Sequence, residues 1–162
     1  MKAVADTGII IGLAKANRLS LLKNLFGKVL IPPKVHKELL AKTGSEGATI
    51  EDALQDFIQI STPNPLDETI KLGLDDLDEG ERQAIGVVVS MGSDAILLID
   101  DRAGRQAAEK LNIKITGLIG VLLLAKKRGL IKSVVEVIEE LRSNGYWLSN
   151  RVVEIAKQLS GE

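Results

Sequence analysis

Asp94-Ala95-Ile96-Leu97-Leu98-Ile99-Asp100-Asp101 is an unbroken apolar run closed by two adjacent acids. A run this short, bounded by polar residues, reads as a strand at Asp94 to Ile99. Lys2-Ala3-Val4-Ala5 repeats the pattern on a smaller scale and ends in Asp6. Three further short runs, Lys28 to Ile31, Phe57 to Ser61 and Ile113 to Thr116, are likewise bracketed by Gly, Pro, Asp or Asn. Between these strands lie stretches of helical period. The alternation predicts an α/β fold with a central, mostly parallel five-stranded sheet.

Pro32-Pro33 opens a helix to about Lys42, because proline supplies the helical φ and lacks only an amide that the first turn leaves unpaired. Ala84, Ile85 and Val88 recur at helical spacing in a helix from Gly80 to Val89, and Glu81 shares their stripe. Later helices are expected at Ala103 to Leu111, Leu118 to Arg128, Lys132 to Arg142 and Asn150 to Leu159, with Gly129 as a C-cap. Thr43 to Thr49 and Thr62 to Pro65 read as loops. Neither is long enough for a linker, so residues 1–162 are expected to form a single domain.

Composition narrows the chemistry. The 162 residues are 45% hydrophobic, enough to bury a core without a disulfide or structural metal. Cysteine is absent, which removes thiolate zinc sites and cysteine nucleophiles. The one histidine, His36, cannot make a multi-histidine site within one chain. Twenty-one Lys and Arg against 22 Asp and Glu leave a net charge of -1, so no global positive field points to nucleic acid. Asp6 arrives too early for a signal peptide, and Leu118 to Ala125 is too short to cross a bilayer. A cytoplasmic protein with no membrane partner is expected.

The acids carry the functional signal. Ligands bind outside the carboxyl ends of strands in open parallel sheets, and Asp6, Asp100 and Asp101 follow strands directly. Glu38 and Glu81 lie on helices that reach the same rim. Each acid also has a structural role open to it. Asp6, Asp100 or Asp101 can cap the helix that follows, Asp78 and Glu81 have capping-box spacing, and Glu38 can pair with Lys34 or Lys42. Taken together the acids are harder to explain as caps. Four carboxylates about 5 Å apart repel by on the order of 20 kcal/mol at an effective dielectric of about 20. A divalent cation or proton uptake must relieve that repulsion. Oxygen-only ligation favours Mg2+ or Mn2+, which lowers the pKa of a bound water and polarises a phosphoryl oxygen. Phosphodiester hydrolysis is the natural assignment.

Val4-Ala5-Asp6-Thr7-Gly8, Ile31-Pro32-Pro33-Lys34-Val35-His36-Lys37-Glu38-Leu39, Leu77-Asp78-Glu79-Gly80-Glu81-Arg82-Gln83-Ala84-Ile85 and Leu98-Ile99-Asp100-Asp101-Arg102 occur in that order. Gly104-Arg105 and Ile115-Thr116-Gly117-Leu118-Ile119-Gly120-Val121-Leu122 follow. This set resembles the PIN-domain family, in particular its prokaryotic VapC-like members, from about Val4 to Leu159. The resemblance implies a three-layer α/β/α fold and a Mg2+- or Mn2+-dependent endoribonuclease. It also implies a homodimer that is frequently the toxin of a toxin-antitoxin pair, with RNA as substrate and an antitoxin protein as partner. Asp6 matches the first acid and Glu38 the second. Glu81 falls where the third is usually Asp. Asp100 is the first choice for the fourth and Asp101 the second. Thr7 matches the small hydroxyl after the first acid, with N-capping as its other role.

Arg102 and Arg105 flank the rim and are candidates for phosphate contacts, with a salt bridge to Asp101 or solvation as the alternative. Lys126-Lys127-Arg128 suits a helix C-terminus. His36 sits on another face from Glu38 and is not expected to act as a base. One Trp, one Tyr and two Phe are too few for a base-stacking ladder. The apolar helix Leu118 to Ala125 is expected to be core, with a dimer or antitoxin groove as the alternative. Two other functions are compatible with the acids. One is a catalytically inactive PIN-like module binding RNA or protein, favoured by Glu81; the other is a phosphoacceptor receiver domain, which lacks a convincing strand-end lysine.

Overall fold

The structure, a computed structural model, describes residues 1–42 and 44–162. The strands are β1 (Lys2–Ala5), β2 (Val29–Ile31), β3 (Ile58–Ile60), β4 (Ala95–Leu98) and β5 (Lys114–Thr116). They form one sheet in the order β3-β2-β1-β4-β5, and every pairing is parallel. β1 matches its expected run, and the other four lie within theirs, shortened by one or two residues. Phe57, for example, still donates its amide to Ala53 O, closing the preceding helix.

Ten helices are described: α1 (Thr7–Lys15), α2 (Ser20–Phe26), α3 (Pro33–Leu40), α4 (Glu46–Asp56), α5 (Glu68–Gly73), α6 (Glu79–Met91), α7 (Arg102–Lys110), α8 (Leu118–Lys127), α9 (Val134–Ser143) and α10 (Asn150–Ser160). Sequence periodicity located six of them and placed none at α1, α2, α4 or α5. The loop expected at Thr43 to Thr49 is corrected: Glu46 to Thr49 form the first turn of α4, while Thr43 lies outside the described residues. Ile50 and Ala53, one turn apart, are buried on that helix, and their burial outweighs the weak propensity of Gly47 and Thr49. Gly129 has φ +75° after α8, with its amide on Lys126 O and the Leu130 amide on Ala125 O, as expected of a C-cap.

Strand alternation sorts the core into two halves. Ala3 and Ala5 of β1 and Leu98 of β4 face a core built from α1, α2, α3, α4, α8, α9 and α10. Val4, Ala95, Leu97 and Ile99 face the other way, onto α6, the segment after α5, and Ala108 of α7. This is the three-layer α/β/α arrangement. Fully buried side chains such as Ile10, Leu22, Ile85 and Leu97 each contribute about 1.5–3 kcal/mol over exposure. No described helix is long and apolar enough to cross a membrane.

The strand order positions the site. From β1 the chain moves outward through β2 to β3, then crosses to β4 on the other side of β1. Connections leaving β1 and β4 therefore diverge, and their divergence opens a crevice at the carboxyl ends of these strands. Ala5 is registered opposite Leu98, and the Asp6 amide bonds to Leu98 O at 3.0 Å. Asp6 and the Asp100-Asp101 pair thus leave the sheet side by side.

Candidate active site

Asp6 occupies the N-cap position of α1 with extended backbone, φ -84° and ψ 163°, yet its side chain makes no capping hydrogen bond. Its carboxyl is pushed up to about 6, chiefly by burial; the Thr7 amide pulls the other way, and the charges of Asp78, Glu38 and Asp101 add to the rise. Thr7 is the first helical residue of α1, not its cap. Its hydroxyl donates to Glu38 Oε2 at 2.9 Å, tying α1 to α3. A Cβ on Gly80 would stand 3.0 Å from Glu38 Oε1, so the absence of a side chain there lets Glu38 approach the start of α6. Lys34 forms its ion pair with Glu79, at 3.9 Å, instead of with Glu38.

At the start of α6 the capping box is complete: Asp78 Oδ1 accepts from the Glu81 amide at 2.8 Å and Glu81 Oε2 from the Asp78 amide at 3.3 Å. Glu81 is nevertheless more than a cap. Only 8% exposed, it is the one buried charged residue among those described. Its carboxyl rises to about 7, mainly through desolvation, with the charges of Asp78, Asp101 and Asp6 adding and the Asp78 amide opposing. Capping and membership of the acidic cluster are held by one side chain. Asp78 also joins the cluster, a role that its cap spacing concealed.

The two acids after β4 take different positions. Asp101 caps α7, accepting from the Gly104 amide at 2.9 Å through Oδ2, and its charge reaches both Asp6 and Glu81. Asp100 turns toward α8. Both of its oxygens accept from the Leu118 amide, at 3.2 and 3.1 Å, and Arg105 Nη1 lies 3.9 Å away. Desolvation raises the Asp100 carboxyl, while the Leu118 amide and Arg105 oppose the rise. The Arg102–Asp101 pair is absent among the described residues; Arg102 is exposed, and Arg105 pairs with Asp100. His36 is half-buried on α3.

The charges of Glu38 and Asp101 thus reach Asp6, those of Asp101 and Asp6 reach Glu81, and none of the four enters an ion pair with a described basic side chain. Among the described residues no three Asp, Glu or His side chains already stand at ion-gripping distances. The donors are all carboxylate oxygens, and burial with mutual repulsion makes two of them hold protons unusually tightly. A hard divalent cation answers both conditions, so the chemistry of the donor set fits such an ion.

A family profile described as PIN domain matches residues 2–162. The chain belongs to the PIN-domain family. No curated protein matches it. PIN domains are generally nucleases and generally use divalent metal ions. A nucleic-acid substrate follows, and the crevice at the carboxyl ends of β1 and β4 is where this PIN domain gathers its acids.

Proposed function

We propose that the protein is a metal-dependent endoribonuclease that hydrolyses RNA phosphodiester bonds at the β1–β4 crevice. One observation carries the reading: Asp6 feels the charges of Glu38 and Asp101, Glu81 feels those of Asp101 and Asp6, and none of the four is paired with a described basic side chain. These four would hold Mg2+ or Mn2+. When bound, such an ion supplies a water of lowered pKa and neutralises charge developing on the phosphoryl group. Thr7 fixes the Glu38 carboxylate, and the Asp78 box fixes Glu81. Asp100 is held by the Leu118 amide at the start of α8, and Arg105 beside it, with exposed Arg102, offers positive charge for RNA phosphates.

Residues 1–162 act in this reading as one domain, two cores sharing one sheet. The VapC-like toxin role, with an antitoxin partner, a homodimer and a cytoplasmic site of action, rests on the resemblance of the quoted motifs. Mn2+ calorimetry on wild type and Asp6→Asn, with cleavage of a structured RNA, tests the enzyme. Binding and cleavage lost together in a folded variant support it; cleavage retained in Asp6→Asn overturns it.

A second reading, an inactive module that binds RNA or protein, draws on Glu81 being engaged in its capping box. Absence of Mn2+ binding by wild type, with RNA binding intact, would select it.

A further inference from the structure

Tyr146, Trp147, Ser149 and Asn150, with Arg142 from the end of α9, line a cavity of about 510 Å3, a size suited to one nucleotide. No acidic residue lines it. Trp147, the chain's only tryptophan, is 82% exposed, yet the backbone on either side of it is clamped. On one side the Tyr146 amide bonds to Leu141 O at 2.9 Å, and the Tyr146 ring lies where a Cβ on Gly12 of α1 would meet it at 2.8 Å. On the other, Arg142 donates to Leu148 O at 2.7 Å and to Asn150 Oδ1 at 3.0 Å. A mobile surface tryptophan would not need this scaffold. Both Arg142 bonds go to neutral oxygens, so its charge is not cancelled by them. Lys15 Nζ adds a second cation, 3.9 Å from the position of a Cβ on Gly145.

Tyr146 links the cavity to α1, the helix that starts at the acidic crevice. Gly12 is five residues beyond Thr7 on α1, about 7.5 Å along the helix, and Tyr146 is close enough to Asp100 to feel its charge.

Resting on the ribonuclease reading, we propose that this cavity is a nucleotide subsite in which Trp147 stacks on a splayed base of single-stranded RNA next to the scissile phosphate. The base lies on the indole face, and its phosphate turns toward Arg142 and the first amides of α10. Such stacking tolerates any base, so the subsite selects unpaired RNA over duplex.

The test titrates the full chain with an unstructured RNA decamer in EDTA, reading Trp147 emission and, with labelled RNA, anisotropy. Saturable quenching is expected. Trp147→Ala should weaken binding about 5- to 150-fold, with Trp147→Phe restoring most of it and Leu72→Ala, at a distant exposed site, unchanged. With metal present, Trp147→Ala should raise KM for single-stranded RNA and leave kcat intact. Equal RNA affinity in wild type and Trp147→Ala overturns the subsite, as does emission that ignores RNA and shifts only with protein concentration, the mark of a second copy covering the indole. Wild type that cleaves RNA while Trp147→Ala is indifferent defeats the subsite alone; wild type that is quenched by RNA yet neither binds Mn2+ nor cleaves keeps the subsite and defeats the nuclease.

Discussion

Thr7 Oγ1 and Glu38 Oε2, 31 residues apart in sequence and 2.9 Å apart in space, join the first turn of α1 to the last turn of α3. The bond leaves Glu38 one fixed oxygen and one, Oε1, directed at Gly80. Thr7→Val keeps the shape and removes the donor. Partners that orient a ligating carboxylate typically matter 10- to 100-fold in metal affinity. Mn2+ calorimetry on Thr7→Val should show a loss of about tenfold in a folded protein; unchanged affinity would mean that Glu38 does not bind the ion.

Gly80→Ala separates stability from function. Alanine in place of a helical glycine gains up to about 1 kcal/mol, while its Cβ would press on Glu38 Oε1 from 3.0 Å. The expected outcome is a melting temperature equal to or above wild type with Mn2+ affinity several-fold weaker. Weaker folding and intact binding would reverse the argument.

Asp100 and Asp101 can be told apart by paired asparagine substitutions. Asn at 101 preserves a good N-cap for α7 but removes a charge that acts on Asp6 and Glu81. Asn at 100 keeps an acceptor for the Leu118 amide. Cleavage should be abolished in Asp101→Asn and only reduced in Asp100→Asn, measured at saturating metal. The opposite ranking would return the fourth position to Asp100.

Stability against pH follows from the raised acids. Asp6 moves from 3.8 to about 6 and Glu81 from 4.5 to about 7, so the native state holds these protons more tightly than the unfolded chain. Their contribution is fully present below the unfolded values and is lost as pH rises through 6 and 7. In chelator, wild type should therefore lose melting temperature relative to Asp6→Asn between about pH 4 and pH 6.5. Added Mn2+ should recover the loss at pH 7.5 in wild type alone. Parallel pH profiles for the two proteins would contradict the cluster.

Glu162 gives the reverse slope. Desolvation opposes it, yet bonds from Ser133, Lys126 and the Val134 and Val135 amides hold its carboxyl down at about 2, at the N-terminus of α9. Its contribution is present above 4.5 and disappears as pH falls toward 2. Glu162→Gln should melt lower than wild type at pH 7, with the difference closing in acid.

β1 and β4 were legible because short apolar runs ending in acid have few other meanings, and the other three because Gly, Pro, Asp or Asn bracket their short apolar runs. Less visible was α1, where Gly8, Gly12 and three successive isoleucines disguise a helix whose Ile9, Ile10 and Leu13 are buried. Four-residue propensity cannot report that burial. The placement of Asp6, Glu38 and Glu81 relative to the strands, which brings the charges of Glu38 and Glu81 to bear around Asp6, was legible. Which of Asp100 and Asp101 faces them was not, because the chain leaves β4 at Leu98 and the period-two alternation ends there. Trp147 reads in the sequence as one of four aromatics too scattered for a stacking ladder, and only the clamp around it distinguishes it from an ordinary surface residue.

The order β3-β2-β1-β4-β5 also governs when activity can arise during synthesis. A nascent chain that has emerged only as far as α6 already carries Asp6, Glu38 and Glu81, but β1 is then a sheet edge with no neighbour on that side. Asp101 arrives with β4, which must insert beside the first strand made. On the proposed ribonuclease reading, truncated or ribosome-stalled products ending before β4 therefore lack the fourth acid and would leave the RNA around them uncut, so the topology itself would delay activity until most of the chain has been read.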